Sequence, residues 1–451
     1  MRRLTAVLAS VILVAACAGG TSPSPSPTQA PTATPGDTAA PAPSPTEPSA
    51  STIELARSDV ARLAGDPARA AAAAAALNAF GLDVYGRLAA APGNVVVSPA
   101  SIAIALSMAR AGARGATAAE MDAVLRNLGA EDLADAASAL DAALAARTGT
   151  FEDAAGDAHE VTLRIANALF AQRDMALVSA FLDAMAARYG AGIWTVDFMT
   201  DPEAARVAIN AWVAEQTEDR IEEILKPGQI TAATRLAIAN AIYLKAPWFY
   251  PFDEDETVGG TFTAMDGSTV QAPFMHLVST HVSGAKGSGW VAVELPYVGR
   301  SLAMTLILPD DLGAFESTFD AAAFGAITGA LQPAQVDLRM PAFDTESRVE
   351  LSSLLAALGM PTAFDAAADF SGMTTEEKLH IGFVIHQANI TVDEAGTEAA
   401  AATVVGMDTS GGGPTLEIDL TLDHPFLFVL RDVPTGAIVF MGRVDDPGTT
   451  P

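Results

Sequence analysis

The spacing of apolar residues changes partway along this chain, and that change restricts the fold more than any other feature. In the first half the pattern is helical. Leu77, Phe80, Val84 and Leu88 recur three to four residues apart, Pro99 opens a second helix through SIAIALSMARAGA, and Thr117 followed by Glu120 reads as a capping box for a third. Further helices are expected near residues 133–146 and 179–189. One strand interrupts them, VTLRIANALFAQ, where Val161, Leu163 and Ile165 alternate. Beyond Arg235 strands take over. RLAIANAIYLKA reads as a long buried strand and GTFTAMDGSTVQAPFM as a hairpin turned at Asp266-Gly267. SLAMTLILP, QVDLRMPAF and HIGFVIHQANITVDE follow, and PFLFVLRDVPTGAIVFMGRV closes the series as another hairpin. Helices first and strands later, without regular alternation, imply an α+β fold whose sheets are at least partly antiparallel. No repeat of fixed period and no second linker is visible, so residues 68–447 are expected to form one domain.

The start of the chain has a different chemistry. MRRLTAVLASVILVAACAGG carries two arginines, then an apolar run too short to span a bilayer comfortably, then small residues, which together read as a signal peptide over residues 1–16. Val14, Ala15, Ala16 and Cys17 resemble the lipobox of bacterial lipoproteins, in which cleavage leaves a lipidated cysteine at the new terminus; ordinary cleavage with an incidental cysteine is the alternative. Cys17 is the sole cysteine, so no disulfide forms within the chain and packing alone must hold the fold. Residues 17–51 are rich in Pro, Ser and Thr and read as an extended stalk. Residues 52–67 lead into the domain, and 448–451 are a short tail. The expected location is outside the cell, with the lipid on Cys17 as membrane anchor, on the outer side of a bacterial cytoplasmic membrane or at the cell surface.

Charge and motif content exclude several functions. The formal net charge of -29 repels phosphate backbones and disfavours nucleic acid as a partner. None of the six histidines stands in HExxH or paired-ligand spacing, so no metal is expected. There is no GxSxG elbow, and GAKGSG at residues 284–289 has the wrong spacing for a dinucleotide loop or a P-loop and reads as a turn between strands. With 54 carboxylates a pair placed for acid-base chemistry carries no signal, and most belong to a solvated surface. No cofactor is expected, and an enzyme is disfavoured.

One segment fits none of these classes. DEAGTEAAAATVVGMDTSGGGP, residues 393–414, lies between two stretches that read as buried strands, yet it is built from small residues and glycines. This segment resembles the hinge and reactive-centre loop of the serpins, protease inhibitors that trap their targets by a change of shape. NVVVSPASIAIALSMARAGARGAT, INAWVAEQTEDRIEEIL, LAIANAIYLKAPWFYPF, ELPYVGRSLAMTLILPDD and HPFLFVLRDVPTGAIVFMGRVDDP also resemble serpin segments, in the family's order and over nearly the whole domain.

The resemblance implies three β-sheets, about nine α-helices and an exposed reactive loop. It makes Glu394 and Gly396 the hinge glutamate and glycine, and Thr397 the first side chain to enter the large sheet. Trp248 would stand at the breach where insertion begins, and Ser98, Ser101, Asn240 and His386 at the shutter where the central strands part. By strand alternation, if Thr397 faces inward then so do Ala399, Ala401, Thr403 and Val405, all small or β-branched, while Glu398 stays outside. A strand wedging between two others tolerates neither bulk nor an unpaired charge on its inner face. Read without the family, AAAAT could be helical, and Trp248 and His386 could be ordinary core residues. Family spacing puts the scissile bond between Ser410 and Gly411, within a window that includes Met407, Asp408 and Thr409. The candidate bait residues Ser410, Met407 and Thr409 are uncharged, which implies an elastase-like or subtilisin-like serine protease as partner. The segment EDLADAASALDAALAARTGTFEDAAGDAHE has Arg147 as its only strong base, so no glycosaminoglycan partner is expected. A monomer is expected. The alternative is a non-inhibitory protein of the same fold that binds or supports at the cell surface.

Overall fold

The computed structural model describes residues 53–126, 130–398 and 416–448. In chain order they form β1 (Glu54–Ala56), α1 (Pro67–Leu88), β2 (Val95–Val97), α2 (Pro99–Gly112), α3 (Gly115–Val124), α4 (Ala130–Ala145), β3 (Gly149–Glu152), β4 (Ala158–Gln172), α5 (Ser179–Ala184) with a π-helical turn (Met185–Tyr189), β5 (Ile193–Val196) and α6 (Pro202–Gln216). Then come β6 (Leu236–Pro247), β7 (Val258–Thr263), β8 (Thr269–Gly287), β9 (Trp290–Pro296), β10 (Leu302–Pro309), α7 (Leu312–Glu316), α8 (Ala321–Ala330), β11 (Gln332–Pro341), β12 (Phe343–Glu350) and α9 (Ser352–Leu358). The remainder is β13 (Phe383–Val392), β14 (Gly396–Thr397), β15 (Leu416–Thr421), β16 (Phe426–Asp432) and β17 (Ile438–Val444). The elements follow the change of period seen in the sequence, and the expected α+β class holds.

The strands form two hydrogen-bonded networks. One sheet runs β1-β5-β4-β6-β14-β13-β12, with β3 attached to β4; the other runs β15-β11-β8-β9-β10-β16-β17-β2, with β7 on β8. Strand β8 joins the parts of the second network, because Thr269–Phe274 pair with β7, Phe274–Gly284 with β11 and Ser283–Gly287 with β9. The Asp266-Gly267 hairpin is present: Gly267 has φ +82°, a conformation open to glycine, and its N–H donates to Ala264 O at 3.0 Å.

The first sheet is covered on both faces, which is why RLAIANAIYLKA is apolar on both parities. Beneath β4 and β6 lies α2, which starts on Ser98 as N-cap with Pro99 in the first turn. Across the other face, Ala205, Ile209 and Val213 of α6 and Ile221, Ile224, Leu225 and Ile230 of its following segment pack on Ala166, Ala168, Phe170, Ala237, Ala239 and Ala241. The alanines let this outer layer lie close to the sheet.

Two expectations need correction. Thr117 and Glu120 do not cap α3, which begins at Gly115 after Arg114 with no side-chain cap. Thr117 Oγ1 instead accepts from Asp369 N–H at 2.9 Å, and the Glu120 carboxylate accepts from Thr362 N–H at 2.9 Å and Thr362 Oγ1 at 2.7 Å. Tertiary partners have taken the groups a local cap would use. The folded body also reaches back past residue 68, since β1 pairs with β5 from Glu54 opposite Thr195, Leu63 N–H donates to Ala187 O at 2.7 Å, and Arg62 pairs with Asp141 at 2.5 Å. A double-mutant cycle of Glu120→Ala with Thr362→Val should show a coupling of about 1–2 kcal/mol in urea unfolding. Strict additivity would return Glu120 to a purely local role.

Candidate functional site

The centre of the first sheet holds an unusual seam. Strands β6 and β13 pair in parallel from Ala237 opposite Phe383 to Ile242 opposite Ala388. Beyond that point β14 separates them, with Thr397 opposite Val392 on one side and Ala246 on the other, and Gly396 opposite Pro247. The chain therefore leaves β13, turns, and inserts two residues antiparallel between the strands it has just helped to form.

Local chemistry makes that turn. The Asp393 carboxylate accepts from Ala395 N–H and Gly396 N–H, each at 3.0 Å, and Asp393 N–H donates to Gly396 O at 3.0 Å. Burial pushes the Asp393 carboxyl above its usual range, with Glu394 and Glu254 acting the same way and the two backbone donors opposing. Gly396 has φ +154°, and a Cβ there would lie 2.4 Å from Ala246 O, so both conformation and space require glycine. Glu394 is held by Thr257 Oγ1 at 2.6 Å, and its carbonyl accepts from Phe252 N–H at 3.0 Å.

Trp248 fastens the turn from the side. Its indole N–H donates to Asp393 O at 3.0 Å and its backbone N–H to Ala395 O at 2.9 Å. The ring stacks on Tyr297 with centroids 4.4 Å apart, and the Tyr297 hydroxyl shares a 2.7 Å hydrogen bond with Thr397 Oγ1. Burial drives the Tyr297 pKa upward, so the phenol stays neutral. Thr397 is 1% exposed, which places it on the inner face as strand alternation requires, and Glu398 lies on the outer face beside Arg220.

Farther along the seam, Ser98, Ser101, Asn240 and His386 do come together. His386 Nε2 accepts from Ser98 N–H at 3.2 Å, which puts its proton on Nδ1, against Asn240 Oδ1. Asn240 Oδ1 also accepts from Ser101 Oγ at 2.9 Å, and Asn240 Nδ2 donates to Asn167 Oδ1. Full burial lowers the His386 pKa from 6.5 to about 3, so the imidazole is neutral. The cluster links α2, β4, β6 and β13 across the seam.

Asn167, Tyr297 and Arg220 belong to this site and were not singled out from the sequence. Asn167 had a readable signal: IANAL and IANAI are matching strands, and they pair with Asn167 directly opposite Asn240. Tyr297 and Arg220 had none, because their partners lie about 100 and 180 residues away. Ala399, Ala401, Thr403, Val405, the window Met407, Asp408, Thr409, Ser410 and Gly411, and Cys17 lie outside the described residues.

A family model described as serpin, serine protease inhibitor, matches residues 75–447. The chain belongs to the serpin family. It is 37% identical over 376 residues to an uncharacterised serpin-like protein of Thermococcus kodakarensis, covering 82% of this chain and 85% of that one. It is 33% identical over 369 residues to the leukocyte elastase inhibitor of Bos taurus, covering 79% and 93%. The solved structure of a thermophilic serpin, tengpin, in the native state superposes with a TM-score of 0.75 at 24% identity, over 87% of this chain and 97% of that one, a likeness of fold. Serpins are mostly protease inhibitors rather than enzymes, and some members do not inhibit.

The neutral His386 gives this serpin a directional pH dependence. Its folded-state pKa lies below that of an exposed histidine, so the unfolded chain takes up the proton first. Its contribution to stability is complete above about pH 6.5 and is lost as pH falls toward 3. Between pH 7.5 and 5.0 the wild type should lose about 2 kcal/mol more than His386→Gln in urea unfolding. Equal losses in the two proteins would show that another group titrates.

Proposed function

We propose that this serpin is a suicide-substrate inhibitor of serine proteases, acting by loop cleavage and insertion between β6 and β13. The observation that carries the reading is the seating of Gly396 and Thr397 in that seam, followed in sequence by inward positions that hold only Ala, Thr and Val. In this mechanism the protease serine attacks the Ser410 carbonyl carbon, the Ser410–Gly411 bond breaks, Gly411 leaves as a free amine, and Ser410 stays esterified to the enzyme. The freed segment then adds as a strand, with Ala399, Ala401, Thr403 and Val405 continuing the inner face begun by Thr397. Insertion faster than deacylation carries the enzyme away with its active site distorted.

The uncharged bait residues favour elastase-like or subtilisin-like targets, and the similarity to a protein named leukocyte elastase inhibitor points the same way. Incubation with elastase, subtilisin, chymotrypsin and trypsin should give a complex that survives boiling in detergent with the first two and not with trypsin. Mass spectrometry of the released fragment should begin at Gly411. Thr397→Arg should be cleaved without forming complex, because the guanidinium would have to enter a site that is 1% exposed beside Tyr297. Complex formation undiminished in that variant would sink the insertion account, and its absence from every wild-type reaction would leave a non-inhibitory serpin.

We further propose that Cys17 carries a lipid and that residues 17–51 hold a monomeric inhibitor away from the outer face of the membrane. Phase separation in a cloud-point detergent should place the wild type in the detergent phase and Cys17→Ser in water. Aqueous partition of both would remove the anchor.

A further inference from the structure

Arg220 joins its own segment to three others, β12, β13 and the hinge at Glu398. Its Nη2 donates to Asp344 Oδ1 of β12 at 3.1 Å and to Thr391 Oγ1 of β13 at 2.5 Å, while the same Thr391 hydroxyl donates to Asp344 Oδ1 at 3.0 Å. Its Nε lies 2.8 Å from Glu398 Oε1, off the hydrogen-bonding direction, so this contact is an ion pair. The residue itself belongs to the connection that carries α6 across the sheet to β6.

The backbone on both sides is shaped for this contact. Glu218 and Asp219 have φ of +52° and +61°, two successive non-glycine residues in a left-handed conformation that persists only where its surroundings impose it. Arg164 holds Glu218 at 3.0 Å, and Asp219 N–H donates to Ala214 O at 2.8 Å. Opposite them Glu398 has φ +50°, which ends the extended run of β14 at Thr397, and Glu398 N–H donates to Thr391 O at 3.3 Å. Burial raises the Glu398 carboxyl pKa and Arg220 opposes it.

We infer that Arg220 is a positioning residue for insertion: by pairing with Glu398 while gripping Asp344 and Thr391, it holds the hinge threaded two residues into the sheet. A two-residue strand has too few ladder bonds to offset the entropy of fixing its chain, so the tether supplies what the ladder lacks. With Gly396 and Thr397 already in register, insertion after cleavage proceeds from a formed nucleus and does not wait for one. The kinetic consequence rests on the proposed inhibitory function, whereas the tether does not.

Two measurements separate these layers. Hydrogen exchange of the peptide spanning residues 393–398 should be at least tenfold faster in Arg220→Gln and in Glu398→Gln than in the wild type, with Arg220→Lys between. Unchanged exchange in both Gln variants overturns the tether, whatever any protease does. With a protease that the wild type traps, Arg220→Gln should raise the number of inhibitor molecules consumed per enzyme trapped several-fold without slowing loop cleavage, and Arg220→Lys should restore most of the loss. A lowered unfolding midpoint with an unchanged partition would reduce Arg220 to a stabilising ion pair and overturn the nucleation role. Failure of the wild type to trap any protease would instead count against the inhibitory reading, leaving exchange to decide the tether.

Discussion

Everything about this molecule turns on the seam between β6 and β13. Parallel pairing closes it at one end, while the chain itself pries it open at the other with Gly396 and Thr397. Under the proposed mechanism the seam holds at rest and parts later, a task that buried ions would not suit, since breaking one such pair costs about 3–5 kcal/mol through the charge left behind. The cluster of Ser98, Ser101, Asn167, Asn240 and His386 is made of neutral groups, whose hydrogen bonds are each worth about 1 kcal/mol net. His386 is kept neutral by its complete burial, so the same burial that seals the seam keeps its bonds exchangeable.

The layers on either side of the seam are graded in the same sense. On the outer face alanines of β4 and β6 meet α6 and its connection, leaving little side-chain volume to rearrange if a strand enters. At the open end Trp248 gives the turn two hydrogen bonds, from its indole and from its backbone N–H, while Tyr297, stacked on the indole, shares one with Thr397. On the outer side Arg220 faces Glu398 and Asp344. A strand inserted as proposed would meet apolar or neutral groups inward and charged side chains outward, the division that the alternation in its own sequence carries.

Much of the site was legible because strand alternation and tight turns are local. Thr397 inward and Glu398 outward follow from the two-residue period, and the need for glycine at position 396 follows from a bend in a strand. The matched asparagines of the two IANA strands were also visible, although only pairing shows that they face one another. Thr117 and Glu120 mark the opposite case: their spacing satisfies a capping rule, but Thr362 and Asp369 compete for the same oxygen atoms from 242 and 252 residues away. A local rule fails where a distant donor reaches the group first.

By itself the sequence determined the α+β class, the serpin resemblance and the run of small residues that follows Glu398, because each depends on residue type and short-range order alone. Only the tertiary structure decided that the hinge rests already threaded, that Tyr297 receives Thr397, and that Arg220 reaches the loop from beyond α6. Those contacts join residues about 100 and 180 positions apart. No periodicity spans such distances; they exist because the packed sheet brings four segments within the length of one arginine.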